Sequence, residues 1–201
     1  MKLNKAYFEF SLVDLVEIAT FCGLALVLDN FASFKIGSSG GSLNIAMVPI
    51  FVISLRHGPF KGFIAGGVVF GLLSCLIDGY GFLTYPLEYL IAFGVTCSLG
   101  FFSPYIYRNF GKGAKPTFLS YLWVIIATAF WFIIRTISAS LDSVLIYKYT
   151  FIDGLKYNIA YCLPSFVGVA ILLCALLMTL NYINHLRPST FLKNMEESSD
   201  E

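Results

Sequence analysis

Long apolar stretches, separated by short polar or Gly/Pro-rich segments, dominate the pattern of this 201-residue chain. A hydrocarbon core about 30 Å thick needs roughly 20 mostly apolar residues per helix. Six stretches approach that length, and we predict a membrane-spanning helix over each. The second is short, follows a Gly/Ser-rich segment and carries Pro49, so we expect it to begin partly unwound or to cross with little tilt. The predicted spans are 11–29, 43–55, 59–78, 85–107, 117–138 and 158–184.

The composition supports a membrane protein. Hydrophobic residues make up 58% of the chain and charged residues 12%, about half the charged fraction of an ordinary soluble domain. A net charge of +1 also argues against a basic nucleic-acid-binding face. We therefore predict an all-α, polytopic six-helix membrane bundle over residues 1–190, followed by an acidic, polar tail over 191–201. We expect the end of this tail, from Asn194 onward, to be disordered.

The positions of Lys and Arg predict the orientation. With six spans, both termini share a side with the second and fourth loops, and that side carries nine Lys and Arg residues against three on the other. Cytoplasmic loops are enriched in these residues, so we predict that both termini are cytoplasmic. The nine are Lys2, Lys5, Arg56, Lys61, Arg108, Lys112, Lys115, Arg187 and Lys193; the three are Lys35, Lys148 and Lys156.

Motifs for redox, metal or ATP chemistry are not apparent. The five cysteines form no Cys-x-x-Cys pair and are typical of small packing residues. His57 and His185 supply no metal constellation, and the chain lacks a phosphate-binding loop. We expect no metal, no cofactor and no ATPase activity in this chain. An intramembrane enzyme would also need a nucleophile and a base at one depth, and the predicted spans contain no His.

One acid on the predicted outer side is unusual. Glu88 falls inside the fourth span, where a carboxylate is costly unless it meets a partner or a water-filled cavity. It could bind a ligand, or it could form a structural ion pair with Arg135, the only cation far from the ends of a span; both roles are compatible. The other acids of this side are Asp29, Asp78, Asp142 and Asp153.

Aromatic residues are concentrated on the same side. An interfacial belt explains most of them, but it does not predict their mixture with Glu88, Asn158 and further acids. A pocket of this kind favours a flat cationic ligand, through stacking, cation–π attraction and a carboxylate hydrogen bond. The aromatic residues are Phe34, Phe70, Tyr80, Phe82, Tyr85, Tyr89, Tyr147, Tyr149, Phe151, Tyr157 and Tyr161.

Small residues form stripes on two spans. Ala19 and Gly23 lie four apart on the first, and the third carries Gly62, Gly66, Gly67 and Gly71. Such stripes permit close helix contact in lipid. The contact could lie within the bundle or against a separate subunit, and the pattern does not choose between them.

Several segments together resemble a known family. The start of the second span, Gly40-Gly41-Ser42-Leu43-Asn44-Ile45-Ala46-Met47-Val48-Pro49-Ile50, and the late Tyr157-Asn158 are the most specific. From about residue 17 to 182 the chain resembles the substrate-binding (S) subunits of energy-coupling factor (ECF) vitamin transporters, in particular the thiamine-specific type. The remaining matches are 30–34, 55–58, 65–73, 86–89 and 161–164.

The resemblance implies a thiamine pocket that opens to the outside of a prokaryotic cell membrane. Thiamine is flat, heteroaromatic and permanently cationic, the ligand type that the outer side suggests. The implied partners are a transmembrane coupling subunit, two ATPase subunits and membrane lipid, with Ala19 and Gly23 as the subunit contact. The implied substrate-binding residues are Phe34 on a lid loop, Phe70, Glu88, Tyr89, Tyr147 and Asn158.

The chain departs from the family at one position. The family typically has an Arg followed four residues later by His, whereas Arg135 is followed by Ala139. This change bears on the substrate, which is thiamine or a related precursor such as a hydroxymethylpyrimidine. A stand-alone facilitator and an intramembrane enzyme are the alternative classes.

Overall fold

A computed structural model describes residues 8–31, 33–35, 42–43 and 45–199, without the side chains of 34–35, 42–43 and 196–199. These residues are almost entirely helical. Strands β1 (Phe34–Lys35) and β2 (Ser42–Leu43) form a short antiparallel pair, with Phe34 opposite Leu43. The α-helices are α1 (Leu12–Phe31), α2 (Met47–Phe63), α3 (Gly71–Asp78), α4 (Ala92–Gly94), α5 (Ser98–Asn109), α6 (Ala114–Leu145), α7 (Phe151–Leu186) and α8 (Thr190–Ser199). Two π-helices, π1 (Ile64–Phe70) and π2 (Tyr85–Ile91), and a 3₁₀ turn (Val95–Cys97) complete them.

The second and third predicted spans are joined at a reversal in α2. Gly58 has φ 85° and ψ 177°, a conformation that favours glycine, and Pro59 follows it. A Cβ on Gly62 would collide with Ser54, and one on Gly66 would collide with Ile50. These pairs are symmetric about Gly58, so the two arms run antiparallel in close contact.

Helical segments occupy all six predicted spans, with shifted ends. Four continuous helical stretches of the described chain are long and apolar enough to cross a membrane: Met47–Asp78, Tyr85–Asn109, Ala114–Leu145 and Phe151–Leu186. The first contains both arms of the α2 reversal. The last two extend well beyond the predicted 117–138 and 158–184, because polar and aromatic residues at their ends continue the helices. Helix α1 is not one of these four stretches. It carries three acids along its length, which lower its hydropathy.

The glycines of the third span pack inside the bundle. A Cβ on Gly67 would lie 2.9 Å from the carbonyl oxygen of Leu90. The π1 and π2 backbones therefore approach too closely for a larger residue. Gly23 differs, because a Cβ there would meet nothing within 4 Å.

The described part of the tail is helical up to residue 199. Helix α8 contains Asn194–Ser199, so our expectation of disorder over these residues is wrong. The Phe191 side chain, 0% exposed, lies beneath Gly58 and leaves no room there for a Cβ. The Ser189 hydroxyl donates a hydrogen bond to the Arg56 carbonyl. This docking supplies the apolar contact that the polar composition of the tail does not reveal; the domain division at residue 190 stays a prediction.

Candidate functional site

A cavity of about 610 Å³ opens at the end of the bundle where α1, α3 and α6 end and α7 begins. This volume suits a small organic ligand. We call this the cavity end. Among the described residues that line the cavity, Arg135 is the one Lys or Arg, and there are five acids: Asp29, Asp78, Glu88, Asp142 and Asp153. The cavity therefore has an excess of negative side chains that favours a cationic ligand.

Aromatic rings form much of the remaining wall. They come from the α3–π2 connection, π2, α4, the α6–α7 connection and the first turns of α7. Carboxylates and aromatic faces around one space provide both electrostatic and cation–π attraction for a planar cation. The rings belong to Tyr80, Tyr89, Phe93, Tyr147, Tyr149, Tyr157 and Tyr161.

Helix π2 presents Glu88 and Tyr89 to the cavity. Two hydrogen bonds hold this π-helix against its neighbours. The Tyr85 hydroxyl donates to the Gly67 carbonyl of π1 at 3.0 Å, and the Ser138 hydroxyl of α6 donates to the Leu87 carbonyl at 2.5 Å. The Tyr89 hydroxyl donates to Asp78 Oδ2 at 2.9 Å. The carboxylate of Glu88 has no comparable partner from the protein among these contacts and remains directed to the cavity.

Arg135 lies against aromatic rings. Its guanidinium carbon is 4.9 Å from the centre of the Phe93 ring and 5.7 Å from that of Trp131. It acts electrostatically on Glu88, but the described ion pairs do not include one between these two residues. Arg135 therefore supports the floor of the cavity and leaves the Glu88 carboxylate accessible.

Asn158 joins the α6 and α7 walls. Its amide donates to the Gly154 carbonyl at 2.8 Å and to the Ser140 hydroxyl at 3.3 Å. Its Oδ1 accepts from the Tyr161 hydroxyl at 2.5 Å. Asn158 is only 2% exposed, its amide hydrogens are engaged, and its Oδ1 holds the Tyr161 hydroxyl in place.

Tyr147 lies at the mouth, in the connection between α6 and α7. Partial burial raises the pKa of its phenol, and the carboxylate of Asp142 adds to the effect. The phenol therefore remains protonated. Tyr147 and Tyr149 stack with their ring centres 6.5 Å apart, which leaves a pair of aromatic faces beside the opening.

The structure brings together most of the residues predicted for the site. Glu88, Tyr89, Tyr147 and Asn158 line the cavity with Arg135. Phe70 does not line it: the ring is buried and packs 5.0 Å from that of Phe93, so it supports a cavity residue. The side chain of Phe34 lies outside the described part of the chain. The substrate role of each residue stays a prediction.

Phe93 lines the cavity but was not among the predicted residues, and Tyr161 and Asp142 were predicted only as members of the aromatic and acidic outer side. Helical spacing could have singled them out, because Phe93 lies four residues after Tyr89, Tyr161 three after Asn158, and Asp142 three after Ala139. Residues three or four apart share a helix face. None of the described residues forms a cluster of three or more His, Cys, Asp or Glu suited to a metal.

A second charged cluster occupies the opposite end of the bundle, which we call the network end. Glu17 accepts two hydrogen bonds from Arg56, each at 3.0 Å, and His57 Nε2 lies 2.8 Å from Glu17 Oε2. Lys61 Nζ donates to Asp14 Oδ2 at 2.7 Å, while His57 Nδ1 lies 3.2 Å from Asp14 Oδ1. Both acids of this cluster are paired with cationic side chains, so it is an ion network that leaves neither carboxylate available to a ligand.

Ala19 and Gly23 lie on the exposed face of α1. The opposite face of this helix is buried through Asp14, Ile18, Cys22 and Ala25. The stripe of small residues therefore faces away from the bundle, toward lipid or another subunit. Its predicted role in subunit contact is not tested by this exposure.

Comparison with known proteins gives matches over most of the chain. The family model described as "Thiamine transporter protein" matches residues 15–185. The thiamine transporter ThiT of Bacillus subtilis is 31% identical over 183 residues, which cover 84% of this chain and 92% of that protein. The solved structure of ThiT from Listeria monocytogenes is 26% identical, covers 85% of this chain and 97% of its own, and superposes with a TM-score of 0.71. The predicted all-helical membrane fold is confirmed.

Proposed function

Because the chain belongs to the thiamine transporter family, we propose that it binds thiamine in the cavity and delivers it inward as the S subunit of an ECF importer. The resemblance noted in the sequence is confirmed at the level of the family, and the chain is a multi-pass protein of the cell membrane. The coupling subunit, the two ATPases and the delivery step belong to the proposal.

The excess of carboxylates over cations in an aromatic cavity carries this proposal. Thiamine has a fixed positive charge on one ring and a flat aminopyrimidine as the other. Glu88 would attract the charged part, and Tyr89 and Tyr147 would contact the ring faces. The exchange of charge–water contacts for charge–carboxylate contacts in a partly dry cavity makes the attraction stronger than it would be at the surface.

The proposed orientation places the cavity outside and the network end in the cytoplasm. The described Lys and Arg residues of the network end support it, because cytoplasmic segments are enriched in these residues. They are Arg56, Lys61, Arg108, Lys112, Lys115, Arg187 and Lys193, against Lys35, Lys148 and Lys156 on the other side. An orientation with the cavity outside suits capture of an external vitamin.

Direct binding tests the substrate. Purified protein should bind thiamine in calorimetric titration without ATP, and mass spectrometry should identify thiamine as a copurified ligand. Glu88→Gln should weaken binding about 10- to 100-fold, because it removes the charge of an acceptor from the cavity. Glu9→Gln is the matched control, since Glu9 is exposed and is not among the residues that line the cavity. Unchanged affinity in Glu88→Gln would place the ligand elsewhere.

Uptake measurements test whether this chain needs the coupling subunit and the ATPases for transport. Vesicles that contain this chain, the coupling subunit and both ATPases should accumulate thiamine with ATP, whereas vesicles with this chain alone should not. Accumulation by the chain alone would favour a stand-alone facilitator. Conversion of the ligand by the isolated chain would favour an intramembrane enzyme.

The exposed stripe on α1 is the proposed contact with the coupling subunit. Gly23→Leu should leave thiamine binding unchanged, since a larger side chain there meets open space in the isolated protein. The same change should reduce ATP-driven uptake, because close helix contact in lipid requires small residues. Val27→Leu, at another exposed position of α1, is the control. Equal uptake by wild type and Gly23→Leu would exclude this contact.

A further inference from the structure

Asp142 is a buried carboxylate that the protein does not fully pair. Its side chain belongs to the cavity wall and is only 3% exposed. Oδ1 has no hydrogen-bond partner. Among the described residues that line the cavity, this oxygen is the one buried side-chain oxygen or nitrogen without a hydrogen-bond partner.

Neighbouring donors are already engaged elsewhere. The Ser143 hydroxyl donates to the Ala139 carbonyl at 2.9 Å, and the Ser140 hydroxyl donates to the Thr136 carbonyl at 2.6 Å. The amide of Asn158, on the facing helix, is used by Gly154 and Ser140. A charged acceptor left unpaired in a buried position is destabilising, so a donor from a bound ligand would relieve a cost that the ligand-free protein carries.

The position of Glu88 favours the same kind of ligand. Glu88 on π2 and Asp142 on α6 both line the cavity, and the two helices are joined by the hydrogen bond from the Ser138 hydroxyl to the Leu87 carbonyl. Two acids that line one cavity from different helices favour a ligand with a positive charge near one and a hydrogen-bond donor near the other. Ala139, one helical turn before Asp142, contributes only a methyl group, so no larger side chain from that position fills the space.

We propose that Asp142 accepts a hydrogen bond from the exocyclic amine of the ligand's pyrimidine ring, and so selects aminopyrimidines over their oxo analogues. This inference rests on the proposed function. Thiamine has two donor groups, this amine and the hydroxyl of a flexible side chain. The amine is held on a rigid ring, so its hydrogen bond costs less conformational entropy than one from the hydroxyl.

A pair of ligands isolates this interaction. Oxythiamine carries an oxygen in place of the exocyclic amine and retains the cationic ring. Wild-type protein should bind thiamine about 100-fold or more tightly than oxythiamine, because an oxygen would face the unpaired carboxylate oxygen without a donor. Asp142→Ala should reduce this ratio to about tenfold or less, and Asp142→Asn should reduce it as well, because the amide can donate to the oxo group.

Controls separate this inference from a general effect of charge. Asp153→Asn removes an exposed acid of the same cavity and should keep the wild-type ratio. A thiamine analogue without the hydroxyl should lose equal affinity in wild type and Asp142→Ala; a smaller loss in the variant would assign the hydroxyl to Asp142 and overturn the proposal. If Asp142→Ala does not fold, the isosteric Asp142→Asn provides the result.

Thermal stability gives an independent readout. Without ligand, Asp142→Asn should unfold at a higher temperature than wild type, since it removes an unpaired buried charge. With saturating thiamine its gain in unfolding temperature should be smaller. Wild-type selectivity in both Asp142 variants would overturn this inference and leave the proposed function intact, whereas a wild-type protein that binds no thiamine would overturn the proposed function itself.

Discussion

The two ends of the bundle hold acids in opposite ways. At the network end, Asp14 and Glu17 are shared among Arg56, His57 and Lys61 at distances of 2.7 to 3.2 Å. At the cavity end, the described lining residues include five acids and one Arg. The network end therefore pairs both of these acids with cations of the protein, whereas the cavity end has more acids than cations and leaves negative charge available to a ligand.

This difference separates stability from binding. A paired charge is costly to break, because removal of one partner leaves the other buried and alone. An unpaired charge lowers the stability of the ligand-free protein and contributes affinity when a cation arrives. Variants at the network end should therefore change unfolding, and variants at the cavity end should change binding.

Loss of Lys61 should give the largest effect on stability. Its side chain is 0% exposed, and its ammonium group pairs with Asp14. Lys61→Met keeps most of the volume but removes the charge, so the free energy of unfolding should fall by about 3–5 kcal/mol. Denaturant titration of the purified protein measures this change.

The matched control is Lys112→Met, in the exposed connection between α5 and α6. It should unfold as wild type does. Thiamine affinity of the folded fraction should be equal in all three proteins, as measured by calorimetry. Weaker binding in Lys61→Met at full folding would show that the two ends are coupled and would break the proposed separation.

Phe191 tests whether α8 holds the network end closed. A Phe→Ala change in a core costs about 3–5 kcal/mol. Because α8 is a terminal helix that can undock by itself, we expect a smaller global loss of about 1–3 kcal/mol in Phe191→Ala. Hydrogen exchange should increase first in α8 and around Arg56, whose carbonyl accepts from Ser189.

Phe118→Ala is the control for Phe191→Ala, because Phe118 is 69% exposed on α6. It should leave the exchange of α8 and the free energy of unfolding close to wild type. Equal exchange in the two variants would mean that α8 does not cover the ion network.

Much of the fold could be predicted because lipid imposes a simple rule. Apolar runs of sufficient length must become helices that pair their own backbone groups. The ends of the helices were less predictable. Pro59 suggests a boundary between two spans, but only the close approach of Gly62 to Ser54 shows that the chain reverses direction there. The docking of α8 depends on Phe191 and Leu192, two buried apolar residues at the start of a mostly polar tail.

The site was predictable in part for a related reason. Glu88 is conspicuous because a carboxylate is rare within a span. Phe70 has the same apolar character whether it lines a cavity or supports Phe93, so its position required the structure. Asp142 is conspicuous only when its neighbours' hydrogen bonds are known. The orientation of Asn158, turned inward to Tyr161, likewise depends on tertiary contacts.

The smallest expected effect concerns an acid of the cavity end that the protein does pair. Asp78 accepts the Tyr89 hydroxyl, so Tyr89→Phe keeps the ring but releases this carboxylate. Thiamine affinity should fall about three- to tenfold, the range for loss of one hydrogen bond that orients a contact. Tyr80→Phe, which alters the 55% exposed Tyr80 of the same wall, should change affinity less. Asp78→Asn can be introduced into the wild-type protein and into the Tyr89→Phe variant. If it weakens binding equally in both, the two residues act separately. A smaller loss in the double variant shows that they act as a pair, as we expect of two groups joined by a hydrogen bond.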